Sequence, residues 1–227
     1  TDPFVAKVME RAFAVIATSR RYARTSRELR PYLSKCRIVP LGVPAPSPIQ
    51  VSDADIESVR RTYGRPLLLA VGRLVPYKGF ETLIRAMAQV DACLVIVGEG
   101  PLRSRLQAII AAGHLDEKVR LAGYVEDLAP LYSAADIVVM PSITRAEAFG
   151  LVQLEAMSYG KPIINTELDS GVPEVSAHGE TGLTVPPGDI VALSSALSML
   201  LADDLLRRRL GDAGRVRFER EFLAERM

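Results

Sequence analysis

Apolar residues along the chain fall into short runs rich in Val, Ile and Leu, separated by longer stretches with helical spacing. PLLLAVG (66–72), ACLVIVG (92–98), KVRLAGYV (118–125), DIVVMPS (136–142) and KPIINT (161–166) read as strands, with GLTVPP (182–187) a shorter sixth. These runs do not alternate polar with apolar, so the strands are expected to be buried on both faces. GFETLIRAMAQV (79–90), PLRSRLQAIIAAG (101–113), LAPLYSAA (128–135) and FGLVQLEAMSYG (149–160) read as the intervening helices. Strand–helix alternation of this kind predicts an α/β fold with a Rossmann-like, doubly wound parallel sheet. Ligands of such sheets bind beyond the carboxyl ends of the strands, so the loops after each strand are where chemistry is sought.

The two ends read differently. AFAVIATS (12–19) predicts a strand, RRYARTSRELRPYL (20–33) a helix and CRIVPL (36–41) another strand, followed by a proline-rich linker at 42–48. Two or three elements do not make a domain, so residues 1–45 read as the remnant of a preceding domain plus linker, or as an extension packed on the main domain at 46–227. The far end, 200–227, has helical spacing and many charges and predicts a surface helix pair that stops without a cap. The chain does not begin with Met, and the expectation is that it was cut from something longer.

Composition narrows the function classes. With 48% hydrophobic and 24% charged residues, a packed core is expected rather than disorder. A net charge of +1 argues against a nucleic-acid partner, so any anion must be held by a few placed residues. The two cysteines, Cys36 and Cys93, lack metal or redox spacing and read as reduced, packed thiols, in keeping with a cytoplasmic location. No apolar run approaches the roughly 20 residues of a membrane-spanning helix.

Candidate chemistry lies after the predicted strands. Gly72-Arg73 and Lys78-Gly79 place two cations in the first such loop. A guanidinium fork and a mobile ammonium together suit a diphosphate, although cations in a strand-to-helix loop also occur simply solvated. Gly98 and Gly100 follow the next strand, where missing side chains let a ligand or another backbone approach. Asp53-Ala54-Asp55 has the spacing of a metal–diphosphate motif, but it follows Ser52 at a helix start, which favours capping. His114 and His178 lack metal-ligand spacing, and capping or structural roles are expected for both. Glu147 falls in the loop after DIVVMPS, and Glu155 lies in the second turn of the following helix. Between them the amides near Ala148, Phe149, Gly150 and Leu151 lack intrahelical partners and would donate to a phosphate. An ionised carboxylate accepts two hydroxyl donors, which suits Glu155 to a ribose diol and Glu147 to sugar hydroxyls.

Taken in order, VGRLVPYKG, VGEGP, LAGYVED, the Glu147–Glu155 pair, GKPIINT, and GVPEV followed by ETGLTVPPGD resemble the C-terminal, donor-binding half of a retaining GT-B glycosyltransferase of family 4. The resemblance implies transfer of a sugar from a nucleotide-diphospho-sugar to a glycan or lipid-linked acceptor with retention of configuration. It gives Arg73, Lys78 and Glu147 catalytic roles, the first two on the diphosphate and the third on the sugar. Gly72, Gly98, Leu102, Tyr124, Val125, Ala148, Phe149, Gly150, Leu151 and Glu155 would bind the donor, with Leu102 packing on the base and Tyr124-Val125 bordering it. No metal or other cofactor is expected, because Arg73 and Lys78 stand in for a cation. Similarity to bacterial polysaccharide mannosyltransferases implies GDP-mannose rather than a UDP-sugar. It also implies an acceptor held by a missing N-terminal domain, with peripheral association at the inner face of the membrane as one arrangement. One departure is Ser170 in DSGVPEV, where many relatives carry glycine. A sugar-nucleotide epimerase on the same scaffold and a non-enzymatic nucleotide-binding module are the alternatives.

Overall fold

The computed structural model describes residues 3–46 and 51–227, so Ser47 and Pro48 of the proline-rich linker lie outside the described residues. The N-terminal part holds helix α1 (Pro3–Arg11), strand β1 (Val15–Ala17), helix α2 (Arg20–Thr25) and strand β2 (Cys36–Ile38). Strands β1 and β2 pair in parallel as a separate two-stranded sheet, over a small cluster of Val15, Ala17, Ala23 and Leu29. The single helix expected over 20–33 is broken. Ser26 is extended and ends α2, and the chain resumes as a 3-10 turn, Arg30–Lys35, with Pro31 near its start. Proline lacks an amide donor and cannot sit inside a continuous helix.

Helix α3 (Asp53–Tyr63) follows, and Ser52 and Asp55 close a reciprocal capping box at its start. The Asp53-x-Asp55 spacing is therefore spent on a helix end. The main domain then alternates β3 (Leu67–Val71), α4 (Phe80–Ala86), β4 (Cys93–Val97), α5 (Arg103–Ala112), β5 (Val119–Gly123) and α6 (Ala129–Ala134). It continues with β6 (Ile137–Val139), α7 (Leu151–Ser158), β7 (Ile163–Thr166), α8 (Val172–Val175), β8 (Gly182–Val185), α9 (Ile190–Ala202) and α10 (Asp204–Glu221). All six expected strands form one sheet in the order β5-β4-β3-β6-β7-β8, and every pairing is parallel.

Strand β3 shows why the runs are continuously apolar. Leu68 and Ala70 pack into one cluster with α4, α5 and α9, while Leu67 and Leu69 pack into the other with α6, α7 and Phe218 of α10. Both faces are covered, as a doubly wound sheet requires. Chain order reverses at β3: β4 and β5 build one way, β6 to β8 the other. The carboxyl ends of β3 and β6 thus flank the topological switch point, where such sheets bind ligands.

The far end forms one long helix, α10, followed by a short 3-10 turn, rather than the expected pair of helices. Asp203 caps α10 by accepting from the Leu206 amide, and Leu210, Gly211, Gly214 and Phe218 are buried along one stripe. A Cβ on Gly211 would lie 2.1 Å from the Gly160 carbonyl oxygen, so this helix is pressed against the main domain. Beyond it the chain returns to the linker, where Val43 N donates to Phe222 O and Ala224 N to Val43 O, each at 3.0 Å.

The N-terminal part is tied to the loops after β6 and β7 and to α8. Glu174 accepts from the amides of Arg20 and Arg21 at 3.0 and 2.5 Å. Arg21 pairs with Glu167 at 2.5 Å, and Arg145 donates to the Thr25 carbonyl at 2.9 Å. Cys36 and Cys93 are free thiols, His114 adopts φ 53° just beyond the end of α5, and His178 Nδ1 accepts from the Thr184 amide at 3.0 Å.

Candidate functional site

The loop after β3 is held by main chain on both sides. Gly72 N donates to Val97 O, Leu74 N to Glu99 O, and Leu102 N to Leu74 O. A short 3-10 turn, Pro76–Lys78, precedes Gly79, whose φ of 70° starts α4. A Cβ on Gly79 would lie 2.0 Å from the Pro141 carbonyl oxygen, and Ile143 N donates to Tyr77 O at 2.8 Å. The loops after β3 and β6 therefore touch backbone to backbone, which sets Lys78 opposite Glu147.

Lys78 folds back across Gly72, where an added Cβ would meet its Cε at 3.2 Å. Its Nζ donates to Glu147 Oε2 at 2.6 Å and lies 5.6 Å from the centre of the Tyr77 ring. The two side chains keep only 12% and 11% of their exposure, so each charge depends on the other. Ser142 Oγ donates to the same oxygen at 2.9 Å. Glu147 Oε1 receives no donor among the described residues and is free to accept a ligand hydroxyl. Arg73 is exposed, and its guanidinium makes no ion pair or hydrogen bond among the described residues. It is the cation in this loop available to an incoming anion.

Helix α7 begins at Leu151 after Gly150, which takes φ 82° and ψ 71° and gives no side-chain cap. The amides of Phe149, Gly150 and Leu151 have no protein acceptor among the described residues. Phe149 is buried, while Leu151 is 44% exposed. Ala148 O accepts from Gly171 N at 2.7 Å, and the Ser170 hydroxyl accepts from Val172 N at 3.4 Å. The serine is thereby accommodated within the turn.

Glu155 lies about 7–8 Å along α7 from Gly150, at roughly 1.5 Å of rise per residue. Its Oε2 accepts from the Tyr132 hydroxyl at 2.5 Å. Tyr132 is stacked on Tyr159, with ring centres 5.4 Å apart. Burial, then the charge of Glu155 and the hydrogen bond to it, push the Tyr132 pKa well above its ordinary value, so the phenol remains a donor. Glu155, Glu126, Asp127 and Tyr159 line a cavity of about 380 Å3 bordered by Pro44 and Pro46.

Of the residues expected to bind a ligand, the structure joins Gly72, Lys78 and Glu147 directly. Gly98 abuts them, since an added Cβ would sit 2.1 Å from the Gly72 carbonyl oxygen, and its amide donates to Gly123 O at 2.8 Å. Tyr124 is 77% exposed, Val125 packs partly into the core, and Leu102 packs against the opposite core cluster. Ser142 and Tyr132, which hold the two carboxylates, were not singled out from sequence. Ser142 had one signal, a hydroxyl at the carboxyl end of a strand. Among the described residues no group of three or more His, Cys, Asp or Glu gathers around a point, and no helix is long and apolar enough to cross a membrane.

Residues 51–217 match the family described as glycosyl transferases group 1. The chain is 34% identical over 224 residues to the D-rhamnosyltransferase WbpZ of Pseudomonas aeruginosa, covering 98% of this chain and 58% of that protein. It is 29% identical over 235 residues to the O-antigen chain mannosyltransferase C of Escherichia coli, covering 100% of this chain and 61% of that protein. Among solved structures, HepE of Anabaena in complex with UDP superposes with a TM-score of 0.88 at 23% identity, over 98% of this chain and 63% of that one. The chain thus spans about three fifths of the length of these relatives.

Proposed function

The chain belongs to the glycosyl transferases group 1, and from that membership we propose that it binds the donor in transfer of a sugar from a nucleotide-diphospho-sugar to a glycan or lipid-linked acceptor. The reading includes retention of configuration, as in family 4. Residues 46–227 are the donor-binding half of a GT-B enzyme, and residues 1–45 are the linker and remnant of its acceptor domain. The observation that carries this reading is the Lys78–Glu147 pair at the switch point, beside the uncapped start of α7.

In this assignment the diphosphate lies across Arg73, Lys78 and the amides of Phe149, Gly150 and Leu151. The amides are fixed before the reaction and stabilise charge on the departing nucleotide without reorganising, while Arg73 and Lys78 turn onto the diphosphate as it binds. Glu147 Oε1 takes a sugar hydroxyl, and Glu155 takes the ribose hydroxyls in the adjoining cavity. Gly72, Gly98, Leu102, Tyr124, Val125 and Ala148 complete the donor surface. A guanidinium and an ammonium supply the positive charge, so transfer proceeds without a metal ion. Glu126 and Asp127 offer only acceptors, which suits a base edge carrying N–H donors. With the mannosyltransferase relative, this favours GDP-mannose. The acceptor belongs to the other half of the enzyme, working on the cytoplasmic side of a membrane, and the isolated chain does not turn over.

Calorimetric titration of the chain with GDP-mannose, UDP-glucose, UDP-N-acetylglucosamine and the free nucleotides tests the proposal. Binding of GDP and GDP-mannose, unchanged by EDTA, is expected. Failure to bind any of these ligands would remove the donor-site reading.

A further inference from the structure

Glu147 is held by two donors that behave differently once a ligand arrives. Lys78 is one, with its ammonium on a flexible four-carbon stem. The proposed donor role calls for that same ammonium on a diphosphate, so Glu147 must share it or lose it. Ser142 is the other, and among the described residues it has no such competing partner. Its side chain is fully buried, and among the described residues its one hydrogen-bond acceptor is Glu147 Oε2 at 2.9 Å.

The backbone around Ser142 is fixed from both neighbouring strands. Thr166 Oγ1, at the end of β7, donates to Ser142 O at 2.5 Å. On the β3 side, Pro141 O rests against Gly79 and Ile143 N donates to Tyr77 O. Met140 N donates to Ile164 O at 2.8 Å. The hydroxyl consequently leaves a rigid platform, unlike the ammonium. A hydrogen bond to one carboxylate oxygen also makes the two oxygens inequivalent. Oε2 is turned inward to the protein, and Oε1 is presented for a ligand hydroxyl.

We infer that Ser142 is a positioning residue that fixes the rotation of the Glu147 carboxylate so that Oε1 recognises the donor sugar after Lys78 has been drawn to the diphosphate. Thr166 supports it one step further back. The inference rests on the donor-site reading above and adds to it the residue that orients sugar recognition. Ser142 acts chiefly on the sugar, because among the described residues its hydroxyl donates to the Glu147 carboxylate and touches none of the groups assigned to the nucleoside or diphosphate.

The test is calorimetry on the 227-residue chain with GDP-mannose against GDP, and UDP-glucose against UDP, using whichever pair the unaltered chain binds. Ser142→Ala is expected to raise the Kd of the sugar nucleotide about fivefold to tenfold, the loss typical of one net hydrogen bond. The Kd of the free nucleotide should stay constant, which also reports that the variant is folded. In a Glu147→Ala background the same change should have no further effect. Ser142→Cys, close in volume and a poor donor, carries the test if the alanine variant does not fold. An equal effect on both ligands, or none on the sugar nucleotide, overturns the positioning role. Absence of nucleotide binding by the unaltered chain overturns instead the donor-site reading on which it rests.

Discussion

Replacing Lys78 by Met removes the ammonium but keeps an apolar stem of similar length. Glu147 then retains one hydrogen bond, from Ser142, in a site where its side chain is only 11% exposed. At 2.6 Å and an effective dielectric of about 20, the gross attraction lost is about 6 kcal/mol. Most of that offsets desolvation in the intact protein, and stranding one partner of a buried pair costs about 3–5 kcal/mol. The surviving hydroxyl and the residual exposure of both groups reduce this to about 2–3 kcal/mol. For a chain of this size each kcal/mol moves Tm by about 2–4 °C, so Lys78→Met should melt about 4–12 °C lower without ligand. Adding Glu147→Gln removes the stranded charge, and the double variant should recover about half of the loss or more. Calorimetric melting of the two singles and the double measures this directly. A Tm for Lys78→Met within about 1 °C of the parent, or strict additivity in the double, would refute the mutual dependence of the two charges.

Three further outcomes follow from the site. Glu155→Ala should weaken GDP binding about tenfold, whereas Glu147→Ala should change it less than about twofold; calorimetry giving the reverse order would undo the division between ribose and sugar. In the complete enzyme, Arg73→Ala should lower turnover about 10²–10³-fold, and near-parent turnover would take Arg73 out of the diphosphate site. Because the folded chain keeps the Tyr132 proton to higher pH than the unfolded chain does, the unfolded state binds fewer protons above about pH 10, and stability falls there as pH rises. Burial lowers the pKa of Lys161, giving an opposite slope just below its ordinary value, so the comparison must be with Tyr132→Phe. Urea unfolding at about pH 9 and about pH 11 should show a smaller loss in that variant than in the parent, and equal losses would contradict the buried phenol.

Sequence patterning carried most of the sheet because burial on both faces leaves an unmistakable mark, as in PLLLAVG. It also located the loops after β3 and β6, since a parallel sheet puts its ligand edge at the strand ends. It missed what depends on close approach in space. Lys78 and Glu147 are 69 residues apart, and nothing local in either stretch announces that they meet. The same holds for Tyr132, which lies in LAPLYSAA, a stretch that reads only as a helix, yet is hydrogen-bonded to Glu155. Helix α10 read as a surface helix because its charges are many, and its buried stripe is narrow. Two of the four buried positions are glycines, Gly211 and Gly214, which a search for large apolar side chains passes over. The broken segment at 20–33 turns on Pro31 and the extended Ser26, where local geometry outweighed helical spacing.

The glycines at the switch point carry one more consequence. Gly79 meets the backbone of Pro141, Gly98 that of Gly72, and Gly100 that of Leu74, so the frame around the site is fastened main chain to main chain. Exposed side chains standing between these contacts, such as Arg73, Glu99 and Tyr124, take no part in the fastening. Ligand preference and structural integrity are therefore encoded at different positions. A library that varies the exposed set should change which donor is taken while leaving the melting temperature nearly constant, whereas one that varies the glycines should yield unfolded protein before it yields a new specificity.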